Sequence, residues 1–216
     1  LEVHVLVDHS ASMGFAGAGL SKWTVAQQAA ILLLYVAHLQ KDPAGLSMLG
    51  AELRHYLPPA GGTRQLQRAS EVLVGQAPAG DCDWEAACRQ VRARMKRRAL
   101  VLVLSDFMGE PEAVGKALAM FRARKCDVLA IRLLHPEEMT LLPSTMTRFV
   151  DLEDGSASTV DPLLLREDYQ AEFARHQSEL RKALAARGIT LMELQVLEGW
   201  EAVLAAHLRQ RAVNWL

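Results

Sequence analysis

Three side chains with hard oxygen atoms stand at alternate positions near the start of the chain. Asp8, Ser10 and Ser12 lie in the segment Asp-His-Ser-Ala-Ser-Met, so a carboxylate and two hydroxyls are spaced two residues apart. A strand would send alternate side chains to one face, and a tight loop can turn all three towards a single point. Hard oxygen ligands suit a hard divalent cation such as Mg²⁺. The segment is therefore a candidate cation site.

Two apolar strands are expected to bring carboxylates to this point. Residues 3–7 form a mostly apolar run rich in valine, which predicts a buried strand that leads into Asp8. Residues 100–104 consist only of leucine and valine and lead into Ser105 and Asp106. Ligands of doubly wound sheets bind at the carboxyl ends of the strands, so we expect Asp8 and Asp106 to meet at that edge.

Strands and helices alternate along the chain, which predicts an α/β fold with a doubly wound, mostly parallel six-stranded sheet and helices on both faces. The first and fourth strands are expected to be neighbours at the switch point, beside the loop of residues 80–84. The predicted strands are residues 3–7, 46–49, 53–57, 100–104, 128–134 and 189–194. The predicted helices are residues 22–40, 64–75, 84–96, 163–187 and 200–211, together with one that has Pro111 near its first turn and apolar positions at Val114, Leu118 and Phe121.

No linker or repeat divides the chain, so residues 1–216 are expected to form one domain. A small hairpin is predicted near residues 148–160, with Asp154 and Gly155 in its turn. The chain starts with a leucine directly before a strand. We therefore expect it to be a fragment of a longer protein that lacks the amino-terminal part.

Composition narrows the class of protein. The net charge of −1 gives no general attraction to nucleic acid or to acidic membranes. No apolar run reaches about 18 residues, so we expect no membrane-spanning helix. The three cysteines are odd in number and lack a Cys-x-x-Cys spacing, which argues against a disulfide framework or a zinc site. Reduced thiols indicate a cytoplasmic protein.

The Asp-x-Ser-x-Ser pattern after a buried first strand resembles the metal-ion-dependent adhesion site of von Willebrand factor type A (vWA) domains. Asp106, in Leu-Ser-Asp-Phe, matches the aspartate that follows the fourth strand in that fold. The threonine of the family pattern aligns with Cys82, where this sequence departs from it. Lys22, Tyr169 and the segments 104–107, 149–155 and 205–211 extend the likeness to the bacterial DUF58 family, which carries a vWA-type domain.

The resemblance implies a protein-interaction module without enzymatic activity that binds Mg²⁺ (or Mn²⁺ or Ca²⁺). Ser10 and Ser12 would bind the ion directly, and Asp8 and Asp106 directly or through water. Because a thiol is a soft ligand that suits Mg²⁺ poorly, we expect Asp81 to compensate for Cys82. The usual associate of this family is a MoxR-type AAA+ ATPase that acts as a chaperone.

Residues beside the expected ligands are predicted to contact that partner. They are His9, Met13, Cys82, Asp83 and Phe107. Some of them have structural interpretations as well: Asp83 is placed to cap a helix, and Met13 and His9 can pack in the interior.

Other interpretations of the same residues stay open. Asp8 can cap a turn, with both serines bonded to local backbone, in a scaffold that binds no metal. A hydrolase that uses Ser10 and His9 is a second alternative, although no Gly-x-Ser-x-Gly elbow surrounds Ser10. Residues 92–98 form a basic cluster, which indicates either cations at a helix end or a docking patch for an acidic partner. Nucleic acid is a weaker interpretation, since no aromatic residues interleave with this cluster.

Overall fold

The computed structural model describes residues 1–17, 19–140, 147–150, 157–160, 162–196 and 199–214. A six-stranded sheet forms the centre of the protein, and helices cover it on both faces. The strands, in chain order, are β1 (Glu2–Asp8), β2 (Ala44–Leu49), β3 (Leu53–Ala60), β4 (Ala99–Ser105), β5 (Asp127–Leu134), β6 (Thr147–Val150), β7 (Ala157–Val160) and β8 (Thr190–Gln195). The α-helices are α1 (Lys22–Leu39), α2 (Thr63–Val74), α3 (Trp84–Arg94), α4 (Pro111–Arg122), α5 (Pro136–Thr140), α6 (Pro162–Ala185) and α7 (Trp200–Asn214).

The strand order of the main sheet is β3-β2-β1-β4-β5-β8. All neighbouring strands run parallel except β3, which pairs antiparallel with β2 at one edge. The chain leaves β1 for β2 on one side, and β4 pairs with β1 on the other, with Val7 opposite Leu104. The predicted doubly wound fold is therefore confirmed, and β1 and β4 are the expected neighbours at the switch point.

Two apolar layers hold the helices to the sheet. On one face, Val5 and Val7 of β1 pack with buried residues of α1, α2 and α7. On the other face, Leu6 of β1 packs with buried residues of α3, α4 and α6. Because side chains alternate along a strand, one mostly apolar strand supplies both layers. Because both faces of β1 and β4 are buried, the sequences of these strands are nearly continuous apolar runs.

Two predicted elements differ in detail from the structure. β3 continues through Pro58 and Pro59, beyond the predicted end of this strand at residue 57. An edge strand tolerates proline, because one of its two sides has no ladder bonds to lose. The predicted helix 163–187 is confirmed as α6, but its first half is largely unburied, and Leu165 is 43% exposed. Only the second half of this helix contributes buried leucines, at Leu180 and Leu184.

The small hairpin is confirmed as an antiparallel pair of β6 and β7, with Thr147 opposite Val160. Its predicted turn at Asp154 and Gly155 lies outside the described residues. Among the helices of the described ranges, none combines the length and apolar character that a membrane crossing requires.

Candidate functional site

The loop after β1 is held in a fixed turn by its own side chains and by neighbouring loops. The backbone N–H of Ser10 donates to Oδ1 of Asp8 at 2.9 Å. A short 3-10 helix, Ala11–Gly14, follows. It places the Ser12 hydroxyl 3.1 Å from the hydroxyl of Ser10. The alternate polar residues of the sequence thus bring their oxygen atoms to one side of the turn.

Asp8 is a buried carboxylate at the carboxyl end of the central strand. Its Oδ2 accepts a hydrogen bond from the hydroxyl of Ser105, at the end of β4, at 2.6 Å. Burial, followed by the negative charge of Asp106, raises the pKa of Asp8 to about 6. A cation beside these carboxylates would favour their ionised forms. The electrostatics of the site therefore suit a positively charged ligand.

The second loop is tied to the first by backbone hydrogen bonds. Ala11 donates to the carbonyl of Gly80 at 2.8 Å, and Ala79 donates to the carbonyl of His9 at 2.9 Å. These bonds bring residues 81–83 next to Ser10 and Ser12. The sequence predicted this proximity, and the two loops form one wall of the same site.

The three polar residues of the second loop have different environments. Asp83 caps α3, because its Oδ1 accepts from the backbone N–H of Ala86 at 2.9 Å, as predicted. Asp81 is exposed. Cys82 is partly buried, and burial, followed by the charge of Asp8, raises the pKa of its thiol. The thiol is therefore neutral at physiological pH and makes a poor metal ligand.

Asp106 is held from the opposite side by a buried lysine. The Nζ of Lys22, the first residue of α1, lies 2.6 Å from Oδ2 of Asp106 and 2.5 Å from Oε1 of Glu138. Lys22 is fully buried. Burial alone would lower its pKa, but the two carboxylates outweigh this effect, so the pKa of Lys22 is raised. The ammonium thus neutralises part of the negative charge at this edge of the sheet.

The two loops and the residues after β4 line a cavity of about 170 Å³ that is open to solvent at the carboxyl edge of the sheet. The residues that line it are Asp8, Ser10, Ser12, Asp81, Cys82, Trp84, Asp106, Met108 and Gly109. Within the described ranges, no three His, Cys, Asp or Glu side chains cluster closely enough to hold a metal by themselves. Coordination of a cation here would depend on the two serine hydroxyls together with the aspartates.

This set of donors fits a small divalent cation that prefers oxygen. Ser10 and Ser12 provide hydroxyls, and Asp8, Asp81 and Asp106 provide carboxylates around one cavity. Mg²⁺ takes oxygen ligands, keeps several waters and needs only one or two carboxylates from the protein. The space and the donor chemistry are both compatible with such an ion.

Comparison with known proteins places the chain in a family. The sequence model of a protein of unknown function, DUF58, matches residues 1–179. The chain belongs to the DUF58 family. No curated protein matched the sequence.

Solved structures with the same fold accompany this assignment. One is the conserved hypothetical protein BatB from Bacteroides thetaiotaomicron, with 16% identity, a TM-score of 0.59 and 98% of each chain covered. An aerotolerance-related membrane protein from Bacteroides fragilis, bearing multiple mutations to serine, has 13% identity and a TM-score of 0.63, with 100% of this chain and 97% of that chain covered. The vWA domain of SpRpn10 has 9% identity and a TM-score of 0.51, over 92% and 90% of the two chains. At these identities the likeness establishes a vWA-like fold for this DUF58 chain.

Three residues that were expected to contact a partner are instead buried in the DUF58 fold. Met13 and Phe107 have no exposed surface, and His9 is 1% exposed. His9 packs edge-on against Trp23 with ring centroids 5.2 Å apart, and Phe107 stacks on Trp84 at 5.3 Å. Their apolar surfaces complete the two core layers under the loops, so in this conformation they do not form a contact surface.

Lys22 and Glu138 are site residues for which the sequence predicted no role. Lys22 was named only among the residues that carry the likeness to the DUF58 family, and Glu138 carried no signal. Arg132 was also missed. Its buried guanidinium donates from Nε to the backbone carbonyl of Asp106 at 3.0 Å. These side chains fix Asp106 from behind the cavity.

Proposed function

We propose that this domain is a protein-interaction module with a divalent cation, Mg²⁺ (or Mn²⁺ or Ca²⁺), at the carboxyl edge of its sheet. Ser10 and Ser12 would bind the ion directly, with Asp8 and Asp106 as direct or water-bridged ligands. Asp81 would supply the oxygen that Cys82 lacks. The observation that carries the proposal is that side chains from three separate segments line one open cavity.

The bound ion would supply a positive charge that a carboxylate of a partner protein can approach. The cavity is open to solvent, and Met108, which lines it, is 43% exposed. An apolar residue beside a cation gives a partner both a polar and an apolar contact. Recognition of this kind needs no bond to be broken.

We propose a MoxR-type AAA+ ATPase as the partner, on the strength of the association usual in the DUF58 family. The domain would then act in chaperone-like assembly or maturation of other proteins. We place this interaction in the cytoplasm, where the three free cysteines would stay reduced.

The surroundings of Ser10 support an interaction module over a hydrolase. A serine nucleophile needs a base within hydrogen-bonding distance. The hydroxyl of Ser10 pairs with that of Ser12. Both ring nitrogens of His9 are buried without a hydrogen-bond partner among the described residues. His9 therefore does not activate Ser10 in this arrangement.

A metal-free scaffold is the second candidate, and Lys22 favours it. Its ammonium already contacts Oδ2 of Asp106, and so replaces part of the charge that a metal would bring. The neutral thiol of Cys82 further weakens the donor set. In this version the same cavity would bind a partner through Ser10, Ser12 and Asp81 without an ion.

Affinity purification of the full-length protein, in Mg²⁺ and in EDTA, tests the proposal. The variant Ser10→Ala/Ser12→Ala removes both hydroxyls, and Ser70→Ala/Ser178→Ala on α2 and α6 is the matched control. We expect an AAA+ ATPase to co-purify with the wild type and the control in Mg²⁺, and to be lost in EDTA and with the site variant. Retention in EDTA by the wild type would favour the metal-free scaffold. If no AAA+ ATPase is recovered under any condition, the proposed partner is wrong.

A further inference from the structure

A second concave surface lies at the opposite edge of the sheet, where the parallel strands begin. This groove has a volume of about 620 Å³ and is bounded by the start of β1, the end of β3 and the last turn of α3. Its charged and polar lining includes Glu2, His4, Tyr56, Arg94 and Lys96. The groove is separate from the cation cavity, since β1 extends between them from Glu2 to Asp8.

The rim of this groove, called the strand-start groove below, carries more positive charge than the dipole of helix α3 alone would explain. Residues 92–98 contain five cations, and only Arg92 and Arg94 lie in the last turn of α3, where the helix dipole favours them. Lys96, Arg97 and Arg98 follow the helix and are exposed. Within the described part of the chain, none of the five lies within 4.0 Å of a carboxylate. The rim thus presents positive charge that the fold itself leaves without counter-ions.

The floor of the groove contains a buried polar atom without a partner. His4 is 1% exposed, and its Nε2 makes no hydrogen bond among the described residues. The nearest carboxylate oxygen, Oε2 of Glu2, is 4.0 Å away, beyond hydrogen-bonding distance. A buried polar atom left unpaired costs stability, so it marks a position where a ligand atom would be favourable.

We propose that the strand-start groove binds an acidic peptide segment of a partner protein. Carboxylates of the peptide would pair with Arg94, Lys96 and the neighbouring exposed cations. One carboxylate or carbonyl oxygen would accept a hydrogen bond from Nε2–H of His4 on the floor. This docking site does not depend on a cation at the other edge, so a partner can engage either edge of the sheet or both.

The lining favours a peptide over a nucleic acid. The guanidinium of Arg94 covers one face of the Tyr56 ring at 5.7 Å, so that face is not free to stack on a base. Glu2 in the wall would repel a continuous row of phosphates, whereas an acidic peptide can place its carboxylates away from it. The neutral proline and aromatic surface of β3 also suits peptide side chains.

Fluorescence anisotropy with a fluorescein-labelled octaglutamate peptide tests this proposal on the full chain. We expect salt-sensitive binding by the wild type and binding about tenfold weaker in Arg94→Ala/Lys96→Ala, as the loss of two exposed ion pairs predicts. The matched control is Arg64→Ala/Arg68→Ala, which removes two exposed cations from α2 on the other face of the sheet. The control should stay within about twofold of the wild type.

The variant His4→Phe tests the floor of the groove, because it keeps an aromatic ring and removes the polar atom. We expect weaker peptide binding with no fall in the thermal unfolding midpoint, since a buried unpaired atom is lost. Absence of binding at millimolar octaglutamate would overturn the proposal. The proposal would also be overturned if Arg94→Ala/Lys96→Ala and Arg64→Ala/Arg68→Ala weakened peptide binding equally. It would be overturned as well if an oligothymidylate of eight nucleotides bound the wild type as tightly as octaglutamate.

Discussion

Lys22 carries a buried ammonium between Asp106 and Glu138, and its replacement by methionine should be strongly destabilising. Methionine keeps most of the side-chain length and removes the charge, so two carboxylates lose their shared counter-charge. Removing one member of a buried ion pair costs about 3–5 kcal/mol. Glu138 keeps 17% of its side chain exposed, so water can relieve part of the loss. We therefore expect a loss near the lower limit, about 3 kcal/mol.

Urea unfolding followed by tryptophan fluorescence measures this loss, with the free energy of unfolding extrapolated to water. Lys116→Met is the matched control, because Lys116 is 70% exposed and its Nζ is 3.9 Å from a carboxylate oxygen of Glu112. The control should change stability by less than about 0.5 kcal/mol. The double variant Lys22→Met/Asp106→Asn should lose less stability than the sum of the losses in the two single variants, by about 1 kcal/mol or more. A loss below about 1 kcal/mol in Lys22→Met, or full additivity, would refute the buried ion pair.

Three further predictions concern stability. Burial lowers the pKa of His4 from 6.5 to about 4, so the unfolded chain takes up this proton first as the pH falls. Stability should therefore drop by about 3 kcal/mol at most between pH 6.5 and pH 4, and urea unfolding should show a smaller drop in His4→Phe. Asp83→Ala should cost about 1 kcal/mol through the lost cap of α3, and an unchanged thermal midpoint would contradict that role. Gly45→Ala should lower stability by about 1–3 kcal/mol, because the new Cβ would lie 2.6 Å from the backbone oxygen of Leu57. Gly61→Ala is the control, because its new Cβ would have no atom within 4 Å, and thermal unfolding should show almost no change in its midpoint.

The fold could be predicted because its signals are local. A short run of leucine and valine such as residues 100–104 favours a strand that is buried on both faces, and alternation with helices then limits the topology. Asp83 could be predicted as a cap for the same reason, since a cap depends on residues three positions away. Pro58 and Pro59 misled the prediction of β3, because whether proline is tolerated depends on the strand lying at the edge of the sheet.

The candidate site could be predicted only in part. The order Asp8, Ser10, Ser12 was informative because the three residues belong to one turn. The contact of Lys22 with Asp106 joins residues 84 positions apart, and its contact with Glu138 joins residues 116 positions apart. Side-chain pairs of this kind depend on tertiary packing and leave no pattern in the local sequence. The burial of Phe107 was missed for a similar reason, since its ring stacks on that of Trp84, which is distant in the sequence.

The central claim is that the carboxyl edge of the sheet holds a divalent cation. Isothermal titration calorimetry with Mg²⁺ and with Mn²⁺ tests this most directly on the wild type, Ser10→Ala/Ser12→Ala and the control Ser70→Ala/Ser178→Ala. We predict saturable heat with one ion per chain for the wild type and the control, and none for the site variant. The absence of heat from the wild type at millimolar ion, or equal heats from the site variant and the wild type, would contradict the claim.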